Sequence, residues 1–302
     1  MSWQSIVLNQ IFRLRKRRIV KTDPRAIKAG YNKLEEKTEK TLKIPTTTEH
    51  RVDTLNGVPC EWMIAEGAKD SDQLVLYFHG GGFMLGSPPI LHRPLAARLS
   101  AKSGRKVLLV DYRLTPAHTY PAPVEDCSQV YQWLLDNGYN ANQIAFGGDS
   151  AGGNLVLSVI QSAREQSLPL PALGICLSPW ADLTHTGSSI QSNKHRDPML
   201  PVEILELMAP LYGKGHNLAE PKISPVFADF SGFPPLLVYA GTTEILLSDA
   251  ERVVAAAEAK GVTVESKYWH KQAHAFPVMT QYLPEAREAV DGMADFINRH
   301  MR

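Results

Sequence analysis

Two short segments about seventy residues apart hold the residue types for a single piece of chemistry: His79-Gly80-Gly81-Gly82-Phe83 and Gly148-Asp149-Ser150-Ala151-Gly152. The second has the G-x-S-x-G form, which sets a serine hydroxyl on a sharp turn between a strand and a helix. The first is a glycine run whose bare backbone N–H groups can approach a ligand closely. Together they read as the two halves of an ester-hydrolysing site, with Ser150 as nucleophile and a cradle of amides for the oxyanion. G-x-S-x-G alone would arise by chance in about one chain in ten of this length, so the surrounding elements decide.

Each segment follows a run that reads as a buried strand. Gln143 to Gly147 precede the serine, and Leu74 to Phe78 precede the glycine run. After Ser150, Leu155, Val156, Val159, Ile160 and Ala163 recur at three- and four-residue spacing, which predicts one apolar face of a helix over 151–164. Strand, turn and helix are the context the motif requires.

A serine hydroxyl is a poor nucleophile at neutral pH and needs a base held by a carboxylate. With this elbow the chain order is serine, acid, histidine. Two late histidines follow the strand-like run 262–269: His270, and His274 in Ala273-His274-Ala275-Phe276. His274 is the chosen base, because its loop can reach back over the sheet, and His270 is read as a surface residue. The acid should stand where a strand ends. Glu244 is the first acidic residue past the strand-like Leu236 to Ala240. Asp249 is weighed second, as a helix N-terminal charge complementing the dipole.

Further strands are predicted at 74–79, 106–111, 143–147, 172–177, 235–240 and 262–269. A hairpin lies between 46 and 65 around the turn signal Asn56-Gly57. Their alternation with helical stretches argues a mostly parallel sheet flanked by helices. At 302 residues and 44% hydrophobic, the chain can bury one large α/β core as a single domain, 1–302. The last helix, from Pro284, presents Ala286, Ala289, Val290, Met293, Phe296 and Ile297 for packing.

The chain resembles the hormone-sensitive-lipase-like family of α/β-hydrolase esterases, in the bacterial subgroup with a Gly-Asp-Ser-Ala-Gly elbow. Beyond the two glycine motifs, the resemblance rests on Asp111-Tyr112-Arg113-Leu114 with Pro116, His118 and Pro121; on Ser178-Pro179-Trp180; on Asp197-Pro198-Met199-Leu200; and on Phe233-Pro234-Pro235. It covers about residues 45 to 300. It implies an α/β-hydrolase fold with a helical cap from 1–45 and 182–222, and a serine carboxylesterase acting on short- to medium-chain acyl or aromatic esters through an acyl-enzyme. It further implies Ser150 as nucleophile, His274 as general base and then acid, Glu244 as orienting carboxylate, and Gly81, Gly82 and Ala151 as oxyanion donors. Two departures stand out: a Glu where the family usually has Asp, and His270-Lys271-Gln272 where a Pro-Gly-Met-like run is common. Phe83, Met84, Leu85, Trp180, Met199, Met208 and Phe276 are the pocket candidates. Amide or formamide cleavage by the same triad and a non-catalytic receptor on the same fold are the alternatives weighed.

No metal or cofactor is expected, since no H-E-x-x-H, paired Cys/His cluster, G-x-G-x-x-G or Walker sequence occurs, and nothing points to nucleic acid. The three cysteines, Cys60, Cys127 and Cys176, lack C-x-x-C spacing, which suits reduced thiols in a cytoplasmic protein. Charge is unevenly spread. Residues 1–45 carry twelve Lys/Arg against four Asp/Glu, a net of +8, leaving −7 for the rest of a chain whose total is +1. Arg13, Arg15, Lys16, Arg17 and Arg18 follow the apolar Ile6, Val7, Leu8, Ile11 and Phe12. No run is long enough to span a membrane. The segment reads either as an amphipathic helix touching anionic membrane surfaces or as a cap helix with a solvated basic face, and the family resemblance favours the cap. The strand near Val264 to Trp269 is expected at a sheet edge where a homodimer could pair.

Overall fold

The computed structural model describes residues 1–19, 24–86 and 90–301. Two helices open the chain, α1 (Trp3–Ile19) and α2 (Pro24–Thr41). The strands are β1 (Thr48–Leu55), β2 (Val58–Ala65), β3 (Leu74–Phe78), β4 (Lys106–Val110), β5 (Ile144–Asp149), β6 (Leu173–Leu177), β7 (Leu236–Gly241) and β8 (Val264–Trp269). Between and after them run α3 (Arg93–Ser103), α4 (Ala122–Asp136), α5 (Ala151–Glu165), α6 (Ser189–Ser192), α7 (Val202–Tyr212), α8 (Leu247–Glu258) and α9 (Pro284–His300).

The strands form one sheet in the order β1-β2-β4-β3-β5-β6-β7-β8. Its first three members pair antiparallel and the remaining pairs are parallel. The opening hairpin turns at Asn56 (φ 49°) and Gly57 (φ 84°), with Leu55 opposite Val58. That two-residue loop, left-handed at both positions, matches the twist of the strands it joins. At the other end β8 is the edge, polar and partly exposed apart from Trp269.

Side chains alternate across the sheet and so build two cores. Leu74, Leu76 and Phe78 of β3 join Leu108, Val110 and Phe146 beneath α4, α5 and α8. Val75 and Tyr77 join Leu109, Ile175 and Leu237 beneath α3 and α9. Both faces being covered, β3 reads as an unbroken apolar run, as a central parallel strand must. Helix α5 is buried along nearly its whole length, from Ala151 to Ala163. Because β3, β5, β6, β7 and β8 run the same way, their carboxyl ends share one edge, where an open α/β sheet gathers its ligand-binding loops.

Candidate active site

Ser150 sits immediately past the end of β5 with φ 55° and ψ −119°. A residue with a Cβ is strained in that region, and such strain persists only where neighbours impose it. Here they do. The Ser150 N–H donates to the Leu177 carbonyl at 2.8 Å, and the Ser150 carbonyl accepts from the Trp180 N–H at 3.0 Å, which ties the elbow to the end of β6. Gly152 has no alternative, since a Cβ there would collide with the Phe78 carbonyl of β3. Among the described residues the Ser150 hydroxyl has no hydrogen-bond partner, a frequent state for a nucleophile whose bond to its base tightens only with substrate.

The glycine run after β3 is held from below. The Gly80 N–H donates to Asp149 Oδ1 at 3.1 Å, and the same oxygen accepts from the Tyr77 hydroxyl at 3.0 Å and lies 2.9 Å from His92 Nε2. Burial opposes ionisation of Asp149, but the charge and hydrogen bonds of His92 and Tyr77 outweigh it and hold the carboxyl below its usual range. His79 is locked as well. Its ring stacks on Tyr112 at 4.2 Å, its Nδ1 lies 2.7 Å from the Gly80 carbonyl, and the Tyr112 hydroxyl donates to the His79 carbonyl at 2.6 Å. Burial, reinforced by His92, pushes His79 down to about 3, so the ring is neutral and unfit to be a positive charge at the oxyanion. Past this anchor the chain takes φ 121° at Gly81 and 63° at Gly82. The N–H groups of Gly81, Gly82 and Ala151 have no acceptor among the described residues.

Glu244 and His274 are brought together directly. Glu244 Oε2 lies 2.8 Å from His274 Nδ1, both side chains being buried. The other carboxylate oxygen accepts from the Ser178 hydroxyl at 2.8 Å and from the Gly241 N–H. Ser178 also receives the Ala275 N–H at 3.2 Å. The histidine loop therefore leaves β8, crosses β7 and ends over β6, one strand from Ser150. Burial raises the Glu244 carboxyl. Burial also disfavours imidazolium at His274, but the hydrogen bond and charge of Glu244 prevail and raise it above the ordinary histidine value, with Asp197 and Asp149 adding smaller pulls. Acting as a unit, the pair keeps its proton to higher pH than a free imidazole would.

The second-ranked candidates lie elsewhere. His270 is exposed. Asp249 is buried, its Oδ2 accepting the N–H groups of Ala181 and Asp182 at 3.0 and 2.9 Å, and burial pushes it up to about 8. It moors the segment leaving β6 rather than His274.

Several residues that position the site gave no local sign of it. Asp197 belonged to a family-like motif without a role; its carboxylate accepts the N–H groups of Met199, Leu200 and Ile245 and so joins the insertion to the loop carrying Glu244. The Asn193 amide donates to the Glu244 carbonyl at 2.8 Å. Ser178 likewise stood in such a motif without a role, and His92 was unseen. The pairing of His92 with Asp149 spans 57 residues, which no sequence window reveals.

Among the pocket candidates, Phe83 stacks on Tyr212 of α7 at 3.7 Å and lies 5.9 Å from Trp180. Met208 of α7 fills the space where Gly82 would carry a Cβ. Met84 is buried in the same core, and Leu85 is half-buried against it. Met199 is half-buried and follows the Asp197 turn. Phe276 is separate: it packs on Trp269 at 5.3 Å in the core on the opposite face of the sheet. Ala275, left-handed at φ 50°, turns the chain away just after the histidine.

A family model described as alpha/beta hydrolase fold matches residues 75–278. An acetyl-hydrolase of Streptomyces hygroscopicus is 36% identical over 244 residues, covering 81% of each chain. The crystal structure of an esterase from the bacterial hormone-sensitive lipase family superposes with a TM-score of 0.92 at 36% identity, covering 100% of this chain and 99% of that one. The EstE5 structure from a crystal soaked with p-nitrophenyl butyrate gives 0.89 at 35% identity, with the same coverage. The chain belongs to the α/β-hydrolases, in the hormone-sensitive-lipase-like family. It is a carboxylic ester hydrolase, and the receptor alternative falls away. Among the described residues no helix is long and apolar enough to cross a membrane.

Proposed function

We propose that the protein cleaves short- to medium-chain acyl or aromatic esters through an acyl-enzyme on Ser150. The observation that carries this reading is the buried chain of contacts Glu244–His274 and Glu244–Ser178–Ala275, which ends one strand from the elbow. His274 Nδ1–H points to Glu244, leaving Nε2 to take the Ser150 proton as Oγ attacks the ester carbonyl. The developing oxyanion meets the N–H groups of Gly81, Gly82 and Ala151, which the Asp149–Gly80 bond holds in place and which need not reorganise. His274 then protonates the departing alcohol, and water repeats the sequence on the acyl-enzyme.

Met208, Phe83, Tyr212 and Trp180 crowd the space above the cradle and favour a small acyl group. In this reading α1, α2, α6 and α7 form the cap. EstE5, soaked with p-nitrophenyl butyrate, supports that ester as a first substrate. The test is a series of p-nitrophenyl esters from acetate to palmitate, assayed beside the matched anilides and with Ser150→Ala. Turnover should be greatest at acetate to hexanoate, slower on anilides, and lower by several orders of magnitude in the variant with unchanged circular dichroism. Near-native turnover in Ser150→Ala would remove that serine from the mechanism, and a maximum at palmitate would refute the pocket argument.

A further inference from the structure

Helix α1 is amphipathic the wrong way round for a helix packed on a protein. Leu8 packs on the core, but the rest of its body-facing side is polar. The Ser2 and Ser5 hydroxyls donate to Glu285 at 2.8 and 3.0 Å, Ser5 also to Gln272 at 3.1 Å, Asn9 to the Lys271 carbonyl at 3.0 Å, and Lys16 to the carbonyls of Lys194 and Asp197 at 3.0 and 2.9 Å. The outward side carries Trp3, Ile6, Val7, Ile11 and Leu14, between 41% and 70% exposed. Of the eleven large apolar side chains exposed among the described residues, six lie within residues 1–14. Spacings of three and four from Trp3 through Val7 to Leu14 make this one stripe along the helix. Arg13 and Arg15 are exposed on either side of it. Arg17 and Arg18 follow in the sequence, their side chains lying outside the described residues.

We infer that this face is a docking surface for an anionic lipid bilayer. An apolar ridge with a tryptophan, flanked by arginines whose stems can lie along the acyl boundary while their heads meet phosphate, suits an interfacial helix. Charge favours lipid over a second copy of the chain: α1 carries five Lys/Arg and no Asp or Glu, so two such helices would repel each other, whereas an anionic leaflet attracts them. A convex ridge also needs no complementary groove in a fluid interface. The helix is held to the body by hydrogen bonds on its other side, so docking requires no rearrangement of the fold. The inference goes beyond the proposed reaction and does not depend on its details.

The test uses the full-length protein and sedimentation with vesicles at low salt, one set of phosphatidylcholine alone and one with about one third phosphatidylglycerol. Binding should be at least tenfold stronger to the anionic set. Neutralising two charges (Arg13→Gln with Arg15→Gln) should weaken it about 25-fold, at about fivefold per charge. Trp3→Ser and Leu14→Ser should each weaken it about tenfold or more. These side chains are exposed, so the thermal unfolding midpoints should stay at the wild-type value and separate lost docking from lost folding. Binding to neither vesicle set, equal binding to both, or a vesicle-free dimer that Leu14→Asp dissociates would overturn the inference; the dimer would assign the stripe to a second copy.

Discussion

Replacing Glu244 by glutamine probes the site at its most constrained point. The exchange is isosteric, and the residue is fully buried, so packing is retained. The hydrogen-bond pattern is not. One carboxylate oxygen serves the Ser178 hydroxyl and the Gly241 N–H, two donors, while the other faces His274 Nδ1. A glutamine keeps a single acceptor, and the two donors claim it. Its NH2 group then faces His274 Nδ1 and forces that nitrogen to accept, which moves the ring proton to Nε2. In that tautomer the nitrogen toward Ser150 cannot take a proton. In serine triads the corresponding carboxylate-to-amide exchange lowers kcat about ten-thousandfold, which is about 5.4 kcal/mol of lost barrier reduction. Initial rates on p-nitrophenyl butyrate should therefore show a fall in kcat of three to four orders of magnitude, with KM within about threefold and the melting temperature close to wild type. Glu244→Asp should fall about a hundredfold: the carboxylate retracts by one methylene, roughly 1.5 Å, and a misplacement of about 1 Å already costs that much. A Glu244→Gln enzyme within tenfold of wild type, or an Asp249→Asn enzyme crippled more severely, would refute the assignment of the acid.

The proposed mechanism requires neutral His274, whose affinity for protons is raised, so the acid limb of kcat/KM against pH should fall above the ordinary histidine value of about 6.5; a limb below 6 would contradict the Glu244 coupling. Asp149→Asn removes the charge that fixes His92 and weakens the acceptor of the Gly80 N–H. It should lower kcat ten- to a hundredfold with little change in KM, less than the about 2.7–4 kcal/mol of a fully lost oxyanion donor; an unchanged kcat would show that the loop stands without it. Asp249 binds its proton more tightly folded than unfolded, so its contribution to stability is present below about pH 4 and drains away as pH rises toward 8. The melting temperature of Asp249→Asn minus that of wild type should accordingly increase from pH 5 to 9, and a constant difference would contradict the buried, raised carboxyl.

What could be read from the chain followed how local its cause was. Leu74 to Phe78 announce a doubly covered strand because every residue is apolar, and Asn56-Gly57 announces its turn because both positions need positive φ. Glu244 stands out by simple adjacency to a strand end, and the structure places it beside His274. The Asp149–His92 pair, the Ser178 bridge and the three amides on Asp197 arise instead where distant loops meet above the sheet, and nothing near each residue marks it. Phe276 is among the pocket candidates the sequence offers; one left-handed residue, Ala275, sends it to the opposite core. The orientation of α1 was equally hidden, since apolar and basic residues intermix along it and only the partners of Ser2, Ser5, Asn9 and Lys16 reveal which side faces the body.

Ser5 and Asn9 grip Gln272 and Lys271, two and three residues ahead of His274. The position of the His274 loop is thus set partly by the first turns of the polypeptide. Deleting α1 would remove two ties from the leading half of the histidine loop while leaving the Thr242 and Thr243 bonds to Lys271 and Gln272 and the Glu244 and Ser178 contacts, so a truncated chain would keep the loop in place with one of its braces gone.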